Sequence, residues 1–254
     1  MSKYAGKKAV VTGGTHGMGL AIVKGLVAGG ADVVLTGRNE KKIEEARSEL
    51  PAGSTHVVRS DAASMADINA LADVAQRELG RVDYLFVNHG IAEVQLLGEV
   101  TEDSWDRTFA INTKGAFFTV QSLLPLLNDG GAIVFTTVAN DLIFPGVTAY
   151  TGSKEAVTAI AHAMAAELLP RRIRVNSVAP GYIKTPTMGV AGMTDEERRD
   201  FEKQGDQSTP LGRMGTAEEV AAAALFLAAD ATFTTAVELA VDGGFAQGLN
   251  GPEH

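Results

Sequence analysis

Apolar residues fall along the chain in two alternating rhythms. Short runs rich in β-branched residues recur: KAVVT at 8–12, DVVLT at 32–36, THVVR at 55–59, VDYLFV at 82–87, AIVFTT at 132–137, IRVNSV at 173–178 and AVELAV at 236–241. Each has the length and composition of a strand. Between them, segments 17–29, 40–50, 64–79, 101–127, 148–169 and 216–227 carry apolar positions at helical spacing. Strands that read as continuous apolar runs are buried on both faces, so the alternation predicts an α/β, doubly wound architecture. Its centre is a seven-stranded parallel sheet with helices on both faces. No change of composition, repeat or low-complexity tract divides residues 1–254, which predicts one domain. The rhythm lapses only at 183–210, where no strand comes when one is due. Thr194 and Glu197 there have capping-box spacing, so a short charged helix is expected inside an otherwise irregular insert. An insert of that length in a compact domain suits a substrate lid.

Charge and composition narrow the function. The formal net charge of −9 over 254 residues disfavours a nucleic-acid binder, which needs a basic face to release counterions. There is no cysteine, which excludes disulfides, thiolate catalysis and cysteine-ligated zinc. Histidines 16, 56, 89, 162 and 254 lack H-x-x-x-H spacing, so no metal site is expected. The opening MSKYAGKKAVV has only a short apolar run, and no segment approaches ~18 uninterrupted apolar residues. Neither a signal peptide nor a membrane span is expected, and the cytoplasm is the expected compartment.

The first strand leads into Thr12-Gly13-Gly14-Thr15-His16-Gly17-Met18-Gly19 and then a helix. Glycines permit positive φ and close backbone approach, and free N–H groups at a helix start attract a pyrophosphate. Position after the first strand of a βα series makes this a dinucleotide site of the Rossmann type. Together with TGGTHGMG, the chain carries YTGSK at 150–154, Val87-Asn88-His89-Gly90, Asn112 in INTKG, the turn Pro180-Gly181 and VDGG at 241–244. In these motifs, and over essentially its whole length, it resembles the short-chain dehydrogenase/reductases of compact, single-domain type. Val87 and His89 depart from the family's N-N-A-G element, and a threonine replaces the usual serine at the end of the fifth strand.

A carboxylate near the end of the second strand would hold the ribose diol of NAD. That end reads Thr36-Gly37-Arg38-Asn39, and the nearest acid, Asp32, begins the strand, ~13 Å away at ~3.3 Å per residue. Arg38 offers a planar fork suited to a 2′-phosphate, with His16 as a second donor, so NADP(H) is the expected cofactor. The resemblance implies that Asp61 and Ala62 flank the adenine, and that Ile183 and Thr185 touch the nicotinamide carboxamide and pyrophosphate. It likewise places Asn88 and Gly90 beside the cofactor.

Tyr150 and Lys154 stand four residues apart, on one face if their segment is helical. Reduction of a ketone leaves an alkoxide that needs a proton, and the reverse reaction needs a base. A phenol does both once its pKa, ~10 unperturbed, moves toward neutrality. A lysine ammonium and the oxidised nicotinamide both favour the phenolate. Tyr150 is therefore the expected acid/base, and Lys154 its electrostatic partner and a ligand of the nicotinamide ribose. A further donor to the substrate oxygen is Thr136 or Thr137, which face opposite sides of their strand. Thr137 precedes Tyr150 by thirteen residues, the family's serine interval. The resemblance assigns Asn112 to a proton relay through a water and Lys154; satisfying nearby backbone is its other reading.

By the same resemblance, the substrate pocket draws on His89 to Glu93, Val138 to Phe144, Tyr182 and the lid at 186–210. This mix of apolar and polar side chains leaves the substrate open among carbonyl and alcohol compounds. The helix EAVTAIAHAMAAELL is apolar nearly all round, so one face covers the sheet and the other requires a partner. A symmetric homo-oligomer is expected, and the resemblance suggests a tetramer, with FAQGL near the C-terminus at a second interface. The competing functions are reduction of an imine or activated C=C bond, and a non-catalytic NADP-binding sensor.

Overall fold

The computed structural model describes residues 2–139, 145–186 and 194–249. Its centre is one parallel sheet in the order β3-β2-β1-β4-β5-β6-β9. The strands are β1 Lys8–Thr12, β2 Asp32–Gly37, β3 Thr55–Arg59, β4 Val82–Val87, β5 Leu127–Thr136, β6 Arg174–Pro180 and β9 Glu238–Val241. The order reverses between β1 and β4, so the chains leaving these two strands part to opposite sides and open a crevice at their carboxyl ends.

Two apolar layers sandwich the sheet. Ala132 and Val134 of β5 pack with Ile22 and Val23 of α1 (Gly17–Ala28) and with Ala221 and Ala224 of α8 (Ala217–Leu225). Their neighbours Ile133 and Phe135 turn the other way, onto Val120 of α5 (Ala116–Leu123) and Val157 and Ala161 of α6 (Thr148–Glu167). This alternation is the period-2 geometry of a strand with both faces covered. Polar caps start the helices: Asn39 accepts from the N–H of Lys42 at α2 (Glu40–Glu49), and Ser64 from that of Asp67 at α3 (Met65–Glu78). The expected capping box of Thr194 and Glu197 opens α7 (Asp195–Ser208).

Three elements differ from the sequence pattern. The helix expected over 101–127 is broken into α4 (Glu102–Phe109), a π-helical segment Ala110–Gly115 and α5. Gly115 explains the tight passage: a Cβ there would press on the carbonyl of Ala62. The fifth strand begins at Leu127, earlier than its apolar run, through a register shift against β4. Within the supposedly strandless insert, β7 (Ile183–Lys184) pairs with β8 (Gly215–Thr216), two residues each, and ties the base of the insert to α8.

Candidate active site

The glycine loop between β1 and α1 forms the floor of the crevice. Gly13 has φ +63°, and a Cβ on it would meet the His89 backbone at 3.0 Å, so only glycine lets the ends of β1 and β4 come this close. Thr15, His16, Gly17 and Met18 face the opening, with Thr185 opposite Gly17. Gly19 lies behind the opening, where it packs against the carbonyl of Gly13 and allows the helix to cross the strand.

At the far end of the crevice, Arg38, Lys42, Asp61 and Ala62 line its wall. The Arg38 guanidinium is exposed and 3.7 Å from the Asp61 carboxylate, a loose surface pair. His16 shares this corner, and burial, with the Lys42 charge, pushes its pKa down. Asp32 sits at the opposite end of β2, in register with Lys8.

His89 takes the alanine position of the family element and does not project toward reacting atoms. Its Nδ1 lies 2.8 Å from Thr12 Oγ1, joining the ends of β4 and β1, and its buried Nε2 has no partner in hydrogen-bond geometry among the described residues. Desolvation and the nearby Lys154 charge lower its pKa to about 4, which keeps the ring neutral at physiological pH. Asn88 extends from the same loop. Its Nδ2 donates to Gly13 O at 3.2 Å, and its Oδ1 accepts from Thr136 Oγ1 at 3.1 Å.

The crevice opens directly into a second pocket, since Met18, Asn88, Gly90, Ile91, Ala92 and Thr185 line both. Tyr150, Lys154, Thr136 and Thr137 close its inner wall, and Pro180, Gly181 and Ile183 bound it on the β6 side. Val94, Val138, Val147, Tyr182 and Phe201 complete the described lining with apolar surface. Phe201 comes from α7 and packs on Tyr182, ring centroids 5.4 Å apart, which fastens α7 to the pocket floor. Asn140, Asp141, Ile143, Phe144 and Met188, assigned to the pocket from sequence, lie outside the described residues.

Tyr150 and Lys154 stand one turn apart on α6, as their spacing predicts. Lys154 is buried, and its Nζ donates to Thr136 O at 2.8 Å. Desolvation lowers its pKa to about 8. Tyr150 is half-buried, and desolvation pushes the phenol up to about 12. Desolvation is the cause that moves the phenol here, and the Lys154 hydrogen bond goes to a carbonyl.

Asn112 occupies the π segment and is buried. It clamps the loop after β4 from both sides, Nδ2 donating to Ile91 O (2.9 Å) and Oδ1 accepting from Ile91 N (2.8 Å). Nδ2 also donates to Ser153 Oγ at 2.9 Å, whose own hydrogen goes to Tyr150 O at 2.6 Å. A Cβ on Gly90 would meet both Lys154 Nζ at 3.0 Å and Asn112 Oδ1 at 3.3 Å, so these two groups converge on one glycine. Two of its three hydrogen bonds satisfy the Ile91 backbone, and the third ties it to the Ser153 side chain of α6.

Thr137, one residue past the end of β5, shares the Glu238 carboxylate with Thr158 of α6 and lines the pocket with Tyr150, as Thr136 does. Its N–H continues the sheet ladder to Val178 O at 2.9 Å. Its hydroxyl is engaged, 2.6 Å from Glu238 Oε1 and 3.0 Å from Val178 O. Among the described residues no cluster of histidine, aspartate or glutamate could hold a metal, and no helix is long and apolar enough to cross a membrane.

A family model described as Enoyl-(Acyl carrier protein) reductase matches residues 13–246, spanning glycine loop, pocket and final strand. The chain belongs to the short-chain dehydrogenase/reductase family. It is 33% identical over 256 residues to gluconate 5-dehydrogenase of Gluconobacter oxydans, covering 96% of either chain. To L-fucose dehydrogenase of Bos taurus it is 33% identical over 246 residues, covering 96% of this chain and 90% of the relative. A solved short-chain dehydrogenase/reductase of Serratia marcescens superposes with a TM-score of 0.87 at 31% identity, covering 96% of this chain and 99% of that one. Short-chain dehydrogenase/reductases are oxidoreductases that use NAD(P)(H), and those relatives act on small molecules.

Several residues of the site escape a reading of the sequence. Lys42 carried a signal, its position one turn beyond Arg38. Phe201, the clamp between Ser153 and Asn112, and Glu238 did not, because each reaches the site from a distant part of the chain.

Proposed function

We propose that the protein is a single-domain, NADP(H)-dependent oxidoreductase that transfers a hydride between nicotinamide and a ketone or secondary alcohol. The observation that carries this reading is the paired Tyr150 and Lys154 in a pocket continuous with the glycine-loop crevice. Gly13, Thr15, His16, Gly17, Met18 and Thr185 suit a pyrophosphate at the start of α1, with Asp61 and Ala62 at the adenine. Pro180, Gly181 and Ile183 bound the nicotinamide end, beside Asn88, Gly90 and Lys154. Bound NADP(H) supplies the hydride and, when oxidised, a positive charge beside the phenol.

In reduction, Tyr150 gives its hydroxyl proton to the substrate oxygen, and a phenol held at about 12 by burial stays protonated and ready to donate. In oxidation it must take that proton back, which requires nearby cations to offset desolvation. Lys154 is placed for this, one turn away, and also to hold the nicotinamide ribose. Asn112 holds the loop against which Lys154 lies, and a water beside Gly90 would link the two into a relay. Thr137 is the second donor to the substrate oxygen.

NADP(H) rather than NAD(H) follows from charge. Arg38 is exposed and only loosely paired, with Lys42 and His16 in the same corner, and the sole acid of β2 is at its far end. The tetramer is supported by apolar surface: Ala159, Ala163 and Ala166 on α6 are exposed, as are Trp105, Phe233 and Leu249.

The reading is tested by following NADPH oxidation against ketones, quinones and imines, alongside cofactor binding by Arg38→Asp. Ketones are expected to be turned over and quinones and imines far less. Arg38→Asp is expected to weaken NADPH binding at least about tenfold, the scale of one charge-assisted contact. Turnover confined to imines would overturn the ketone reading, and wild-type protein binding NADH as tightly as NADPH would overturn the cofactor.

A further inference from the structure

Behind Thr137 lies a polar cluster that the reaction as described does not use. Glu238, the first residue of β9, places Oε1 2.6 Å from Thr137 Oγ1 and 3.0 Å from Thr158 Oγ1. Thr158 stands one turn past Lys154 on α6, so the cluster joins β5, β9 and α6 directly beneath the pocket wall. Its hydrogens can be counted. Each hydroxyl has a single hydrogen, and four acceptor positions compete for the two: Glu238 Oε1 twice, Val178 O at 3.0 Å and Lys154 O at 3.4 Å.

Val178 O already accepts the Thr137 N–H at 2.9 Å, and Lys154 O is too distant for a strong bond. The 2.6 Å separation falls in the range of a hydroxyl donating to a carboxylate. The charge also registers next door, where burial and the Glu238 carboxylate raise the pKa of Glu155.

Building on the catalytic reading above, we propose that Glu238 is a positioning residue that holds the Thr137 hydroxyl hydrogen away from the pocket. Thr137 then presents lone pairs, not its hydrogen, to a substrate oxygen. Tyr150 is the donor that remains free, and Thr137 serves as a second donor only when its bond to Glu238 is given up. The carboxylate and the substrate oxygen compete for one hydrogen. Thr136 cannot substitute, since its hydroxyl donates to Asn88 Oδ1 at 3.1 Å.

The test uses full-length Glu238→Gln, Glu238→Asp and Thr137→Val, and the Gln and Val changes combined. The first readout needs no turnover: the infrared carboxylate band of Glu238, isolated as the difference between wild type and Glu238→Gln. Removing the hydroxyl in Thr137→Val is expected to shift this band, and an unshifted band overturns the proposal whatever the enzyme does. The second readout is kcat with a ketone. Glu238→Gln weakens the competing acceptor, and Glu238→Asp keeps the charge but withdraws it from reach. Both are expected to raise kcat about tenfold, the scale of one charge-assisted bond, with KM for NADPH unchanged.

In the Thr137→Val background, Glu238→Gln is expected to change nothing. Equal changes in both backgrounds, or a kcat at or below wild type in the Gln and Asp variants, would overturn the proposal. Wild-type protein that turns over no substrate would defeat the catalytic reading instead, and the carboxylate band would still decide who holds the hydrogen.

Discussion

At the scale of single residues, the pocket wall is a contest for a few protons. An unencumbered donor to a developing oxyanion is worth ~3–4 kcal/mol, a hundred- to a thousandfold in rate. With Glu238 taking about tenfold of that, Thr137→Val is expected to lower kcat by roughly 10- to 100-fold while NADPH binding stays as it was. Thr137→Ser keeps the donor and is expected within about tenfold of the parent. Steady-state kinetics of the two, with Thr136→Val as a control of small effect, checks this; sensitivity at 136 and indifference at 137 would reverse the strand facing. Lys154 makes a separate prediction for stability. Its pKa falls from 10.5 to about 8 on burial, so between those values the unfolded chain binds more protons than the folded one. Stability therefore rises with pH across that window, and the penalty is fully present below about 8. Denaturant unfolding of the cofactor-free protein should gain up to about 3 kcal/mol over this range. Lys154→Met should remove that slope, and an unchanged slope would contradict the lysine's burial.

At the scale of elements, the sequence pattern carries most of what positions the site. The seven strands, the glycine turn entering α1, the shared face of Tyr150 and Lys154, and the capping box of α7 are all local properties, set by period, glycine or spacing. The π segment at Ala110–Gly115 was illegible because helical periodicity continues through it. What forces it is tertiary: Gly115 under the Ala62 carbonyl and Asn112 pinned to Ile91. β7 and β8 were too short, at two residues each, to leave an apolar run. His89 was visible as an unusual residue and Glu238 was not, and their partners Thr12 and Thr137 lie 77 and 101 positions away. Neither pairing can be read before the strands are ordered.

At the scale of the whole molecule, the proposed assembly rests on the exposed alanine face of α6. Ala159→Glu with Ala163→Glu would set charges on that face and is expected to yield smaller particles of lower melting temperature by light scattering and calorimetry. A wild-type chain that is monomeric would remove this expectation. Fold, crevice and pocket converge on one claim, that Tyr150 moves the proton to and from the substrate oxygen. The most direct measurement is NADPH-dependent ketone reduction by Tyr150→Phe, which keeps the ring and deletes the hydroxyl, with NADPH affinity measured on the same protein. Acid–base groups contribute 10²–10⁴-fold, so kcat is expected to fall by about a thousandfold at unchanged NADPH affinity. A variant that keeps more than about a tenth of wild-type turnover, where even the low end of that range requires a hundredfold loss, would contradict the account.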